Sequence, residues 1–102
     1  MSSARLKDKV AIVTGAAGGF GRVLVHALPA EGAKVTALDV NASELVALRD
    51  GLSHRAHDRF LMQVTDIAEY EACTDAVART TKELGGLHIL INNGAIGMGA
   101  IR

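Results

Sequence analysis

The sequence is short of the residues that mark several large classes of protein. Its single cysteine, Cys73, has no partner within the chain, so no intrachain disulfide can form, and its place in an apolar helical stretch predicts a buried thiol in a reducing compartment, the cytoplasm. The 11 lysines and arginines are balanced by 11 aspartates and glutamates. With zero net charge and no cationic cluster beyond Arg5-Leu6-Lys7, the electrostatic footprint of a nucleic-acid binder is missing. No apolar run approaches the ~20 residues that span a bilayer, and the opening "MSSARLKDKV" has no apolar h-region. Membrane insertion and secretion are therefore not expected. Internal repeats and low-complexity tracts are absent too.

Chemistry of other kinds is also excluded. The four histidines include His54 and His57, close to Asp58, but no third strong ligand stands at a persuasive distance and the group falls in a connecting segment, so solvated histidines are expected rather than a metal site. No serine, histidine and acid set suggests a nucleophilic triad.

What is present is ordinary globular composition, 49% hydrophobic and 22% charged in 102 residues: one small domain, burying about two-thirds of its unfolded surface. "VAIVT", residues 10–14, is a β-branched run ended by glycines, the pattern of a strand buried on both faces in a parallel sheet. A helix is expected from about Phe20, with Phe20, Val23, Leu24, Ala27 and Leu28 on one apolar face. Pro29 should end it by Leu28, because proline has no N–H and crowds the carbonyl four residues earlier. "KVTALDV" reads as a second strand, and "ASELVALRDGL" as a helix with Leu45, Val46, Leu48 and Leu52 inward and Asn41 or Ser43 as its cap. "RFLMQV" is a third strand. Asp66 stands three residues before Glu69 in the spacing of a capping box, opening a long helix to about Leu84 that Gly85 and Gly86 stop. "LHILIN" is a fourth strand. The order β-α-β-α-β-α-β implies parallel strands with right-handed crossovers, in the spatial order 3-2-1-4 of half a doubly wound sheet.

The glycines of "TGAAGGFG", residues 14–21, lie between the first strand and the first helix. Gly15 permits the tight turn off the strand, Gly19 lets backbone approach a pyrophosphate at the helix N-terminus, and Gly21 lets helix and sheet pack closely. Asp39 follows at the end of strand two, near the spacing at which a carboxylate meets the adenosine ribose. A cluster of glycines alone is weak evidence. Here it follows a strand, opens a helix and precedes that aspartate, which together point to dinucleotide binding.

The spacing Thr14-Gly15-Ala16-Ala17-Gly18-Gly19-Phe20-Gly21 resembles the short-chain dehydrogenase/reductase family, and the resemblance runs through the whole chain. It implies an α/β, Rossmann-type doubly wound parallel sheet and a cofactor lined by Gly15, Ala17, Gly18, Gly19, Phe20 and Gly21, by Asp39 and Val40, by Gln63 and Val64, and by Asn92, Asn93, Gly94 and Ala95. Asp39 would repel the extra phosphate of NADP, and Gly18 and Val40 stand where NADP-preferring relatives place a cation, so NAD is the expected cofactor. Two departures from the family stand out. Gln63 replaces the aspartate that accepts from the adenine amino group, and the family's Asn-Asn-Ala-Gly is Asn92-Asn93-Gly94-Ala95 here, so that a Cβ at Ala95 is expected to crowd the cofactor and weaken its affinity.

Relatives transfer hydride between a nicotinamide cofactor and an alcohol or carbonyl, using a serine and a tyrosine four residues before a lysine. The one tyrosine, Tyr70, is followed four residues later by Thr74. No catalytic residue is assigned. The chain is expected to be the dinucleotide-binding N-terminal part of such an oxidoreductase, ending after the fourth strand, with an apolar strand edge open to self-association and with full-length relatives as homo-oligomers. The competing reading is a non-catalytic nucleotide-binding module or an orphan fragment, distinguished by whether the reading frame continues to a Tyr-x-x-x-Lys pair.

Overall fold

The computed structural model describes residues 5–94. Strands β1 (Val10–Thr14), β2 (Lys34–Asp39), β3 (Phe60–Val64) and β4 (Ile89–Ile91) alternate with helices α1 (Gly19–Ala30), α2 (Ala42–Asp50), the single-turn α3 (His54–His57) and α4 (Tyr70–Leu84). The strands form one parallel sheet in the order β3-β2-β1-β4, the expected arrangement. Val13 sits beside Ala37 on β2 and Ile91 on β4, so the C-terminal ends of the central strands lie level.

All five residues of β1 are buried, because helices cover both faces of the sheet. On one face Val13, Val35 and Ala37 pack with Val25 of α1, Leu45 and Leu48 of α2, and Phe60. On the other, Ile12 and Leu38 meet Ala76 of α4. That second face also holds a buried polar contact, in which the Thr80 hydroxyl donates to Thr36 Oγ1 at 2.8 Å. At the base of the sheet the Val10 N–H donates to His88 Nδ1 and the His88 N–H to the Val10 carbonyl, both at 2.9 Å. Two strand ends are tied together there.

Several local expectations are corrected. Helix α1 runs through Pro29 to Ala30; the proline sits so near the end that only the bond it would have donated to Val25 is lost, and Gly32, with φ +94°, makes the turn. Phe20, Val23 and Ala27 face solvent, and the stripe on the sheet is Gly21 and Val25 with Leu24 and Leu28 half-buried. The reason is Gly21, which must face the first strand's turn and so sets the helix's rotation. Val46 of α2 is exposed, while Leu45, Leu48 and Leu52 are buried as expected. Asn41 caps α2, accepting from the Glu44 N–H. No capping box opens α4: Asp66 Oδ1 accepts from the Ala68 N–H at 2.9 Å, closing a turn ahead of the helix, which starts at Tyr70 with Glu69 as an N-cap lacking a side-chain bond. Cys73 is half-buried rather than buried, its thiol donating to the Ile67 carbonyl.

Candidate cofactor site

The end of β1, the start of α1 and the segment after β4 meet at the C-terminal edge of the sheet, beside the point where the strand order reverses between β1 and β4. Ligands of open α/β sheets bind in that crevice. Gly15 leaves β1 with φ +62°, a conformation that disfavours a side chain, and a Cβ there would come within 2.8 Å of Gly94 Cα. Gly21 lies against the same turn; its Cβ would fall 2.2 Å from the Gly15 carbonyl oxygen. Both glycines are required by protein packing alone.

Gly19 is different. Nothing lies within 4 Å of the position its Cβ would take, so the protein's own packing gives no reason for glycine there. Gly18 precedes it as the N-cap of α1, with no side-chain bond and no acidic residue in the first turn. The first turn of α1 thus has no side-chain cap at its N-terminus, beside the open position at Gly19.

Asp39 closes the side of this space. Its Oδ2 accepts from the Ala17 N–H and its Oδ1 from the Asn41 N–H, each at 3.0 Å. A carboxylate has about four lone-pair sites, so capacity for two further donors remains. Gly15, Asp39, Val40 and Gly94 line one small hollow of about 150 Å³ together with Leu38, Thr65, Asp66 and Ile67. It suits one ring-sized group, being smaller than a typical whole-ligand site of ~300–1,000 Å³. A larger hollow of about 830 Å³, lined among others by Lys7, His26 and Arg59, lies at the opposite end of the sheet. It shares no lining residue with the first, and it belongs to the strand ends where sheets of this kind do not bind ligands.

The Asn92–Gly94 segment is fastened to β1. Thr14 Oγ1 accepts from the Gly94 N–H at 2.7 Å and lies 3.2 Å from Asn92 Oδ1, and Asn93 Nδ2 donates to the Gly15 carbonyl at 3.2 Å. A Cβ on Gly94, as the family's order would place there, would stand 3.1 Å from Gly15 N and 3.2 Å from Ile67 Cδ1, tighter than ordinary packing. Ala95 lies outside the described residues. Gln63 and Val64 are not among the hollow's lining residues; the Gln63 amide oxygen accepts from Arg79 of α4 at 3.3 Å, and Val64 is exposed. In their place the loop after β3 contributes Thr65, Asp66 and Ile67. The sequence shows no spacing that marks the latter two as lining residues, and Asp66 reads there as a helix cap. Phe20 is exposed next to the glycine turn. Among the described residues no group of three or more His, Cys, Asp or Glu could hold a metal, and no helix is long and apolar enough to cross a membrane.

The profile of a family described as short chain dehydrogenase matches residues 9–102. The D-threitol dehydrogenase of Mycolicibacterium smegmatis is 40% identical over 94 residues, 90% of this chain and 35% of that protein. The galactitol 2-dehydrogenase of Agrobacterium fabrum is 39% identical over 92 residues, 90% of this chain and 34% of that protein. Among solved structures, the 3-ketoacyl-(acyl-carrier-protein) reductase from Brucella melitensis complexed with NADH superposes with a TM-score of 0.80 at 30% identity, covering 90% of this chain and 36% of that one. The chain thus spans about a third of the length of the curated relatives it matches. Matched by the profile over nearly all of its length, and superposing on a solved relative over most of it, the chain belongs to the short-chain dehydrogenase family, whose members bind nicotinamide cofactors.

Proposed function

We propose that this chain is the dinucleotide-binding part of a short-chain oxidoreductase, that its cofactor is NAD rather than NADP, and that the parent protein interconverts an alcohol and a carbonyl compound. The observation that supports this most is the open space at Gly19, at a helix N-terminus where no packing contact calls for glycine and a pyrophosphate has room to approach the backbone. Bound there, the nicotinamide cofactor supplies the hydride acceptor or donor. The chain's own residues hold it. The N–H groups at the start of α1 receive the pyrophosphate, helped by the helix dipole. The two adenosine ribose hydroxyls donate to Asp39, whose oxygens keep lone pairs for them. The hollow between Val40 and Ile67 takes the adenine, and the Thr14-anchored Asn92–Gly94 segment forms the wall beside it.

Preference for NAD follows from charge. A 2′-phosphate in place of a ribose hydroxyl would lose a donor to Asp39 and bring two anions together, and Val40 offers no cation to offset them.

Proton transfer at the substrate is assigned to no residue of this chain. Tyr70 is 80% exposed at the start of α4, and the Thr74 hydroxyl four residues on is bonded to the Glu71 carbonyl. The test of the binding reading is Gly19→Ala. Its methyl group enters space empty of protein, so the melting temperature should hold while NAD affinity falls about tenfold or more. Unchanged affinity would contradict the proposed site.

A further inference from the structure

Five residues, Asp39 among them, close a ring of hydrogen bonds that links the glycine turn, the end of β2 and the start of α2. The Ala17 N–H donates to Asp39 Oδ2, and the Ala17 carbonyl accepts from Arg22 Nη2 at 3.0 Å. The same guanidinium nitrogen lies 2.9 Å from Glu44 Oε1. The Glu44 N–H donates to Asn41 Oδ1, and the Asn41 N–H returns to Asp39 Oδ1, both at 3.0 Å.

Arg22 therefore stands one residue's backbone away from the carboxylate that faces the ribose. With 3.0 Å at each end of Ala17, the guanidinium lies within about 10 Å of Asp39, the order of a Debye length in physiological salt. A free arginine so placed would attract a 2′-phosphate, and guanidinium is the group best matched to phosphate oxygens. Here its charge is met by Glu44.

Resting on the proposed cofactor site, we propose that Glu44 is a second specificity residue for the cofactor. By holding the Arg22 guanidinium, it withholds from the 2′-phosphate of NADP the cation that would otherwise offset Asp39. The charge of Asp39 then stands without a free cation to offset it, which suits a hydroxyl donor and disfavours a phosphate. Both side chains of the pair are roughly half exposed, so solvent moderates the effect and its removal leaves the fold intact.

The test is titration of the purified chain with NAD and with NADP, for the wild type, Glu44→Gln, and the double variant Arg22→Gln/Glu44→Gln, with helical content checked by circular dichroism. Glu44→Gln should tighten NADP binding about three- to tenfold while NAD affinity stays within about twofold, and the gain should shrink at high salt. In the double variant the gain should vanish. An NADP to NAD ratio that Glu44→Gln does not move, or a gain that survives loss of Arg22, would overturn the inference while leaving the site itself standing. A wild-type chain that binds neither dinucleotide would overturn both.

Discussion

Three glycines of one turn answer to three different demands. Gly15 and Gly21 are required by the protein: one has a positive φ, the other would drive a Cβ into the Gly15 carbonyl. Gly21→Ala should therefore destabilise the fold by about 2–3 kcal/mol, lowering the melting temperature by about 10 °C or more in a domain of this size. Gly19→Ala should leave stability unchanged or slightly raised, since alanine is the better helix former. Thermal melts of the two variants, read beside NAD binding, separate a packing glycine from a ligand glycine. If Gly21→Ala melted with the wild type, the close approach of α1 to the first turn would be refuted. The pattern of this turn was legible in the sequence because its glycines have distinct backbone tasks. The ring through Arg22 and Glu44 was not, because it joins residues 22 apart in sequence through side chains that no local spacing marks.

At the scale of the elements, the sheet owes its order to hydrophobic runs and the site to what ends them. The strands, their parallel pairing and the order β3-β2-β1-β4 follow from short β-branched runs alternating with helical periodicity. The rotation of α1 did not follow, because apolar spacing allowed Phe20 and Val23 as the inner face, while the close approach of Gly21 decided otherwise. Nor did the start of α4, where Asp66 spends its carboxylate on a turn before the helix. Helix α4 is instead fixed to β2 by Thr80 and Thr36, both buried and 2.8 Å apart. Thr80→Val keeps the shape and strands the Thr36 hydroxyl, so it should cost about 1–2 kcal/mol, much of which Thr36→Val in the same chain should restore. Denaturant midpoints of the two single variants and the double decide it. Strictly additive losses would mean that the pair is not coupled.

For the whole molecule, the proposed function makes the described residues a cofactor cradle, with none of them assigned to move a substrate proton. In the proposed reading Asp39, the glycine turn and Gly94 hold and orient a dinucleotide; Tyr70 stands exposed at the start of α4 and is not among the residues that line the hollow. The 102-residue chain should thus give no detectable turnover with any alcohol or carbonyl in a nicotinamide absorbance assay, since it lacks both acid/base assistance worth about a hundredfold or more and substrate positioning. Among the described residues strand β4 stands at the edge of the sheet, with Leu90 62% exposed. The cofactor is the property that these residues decide themselves. Calorimetric titration of the purified chain with NAD and then NADP tests it most directly: NAD should bind with a stoichiometry of about one per chain and more tightly than NADP by about tenfold or more. Binding of neither, or tighter binding of NADP, would contradict the account.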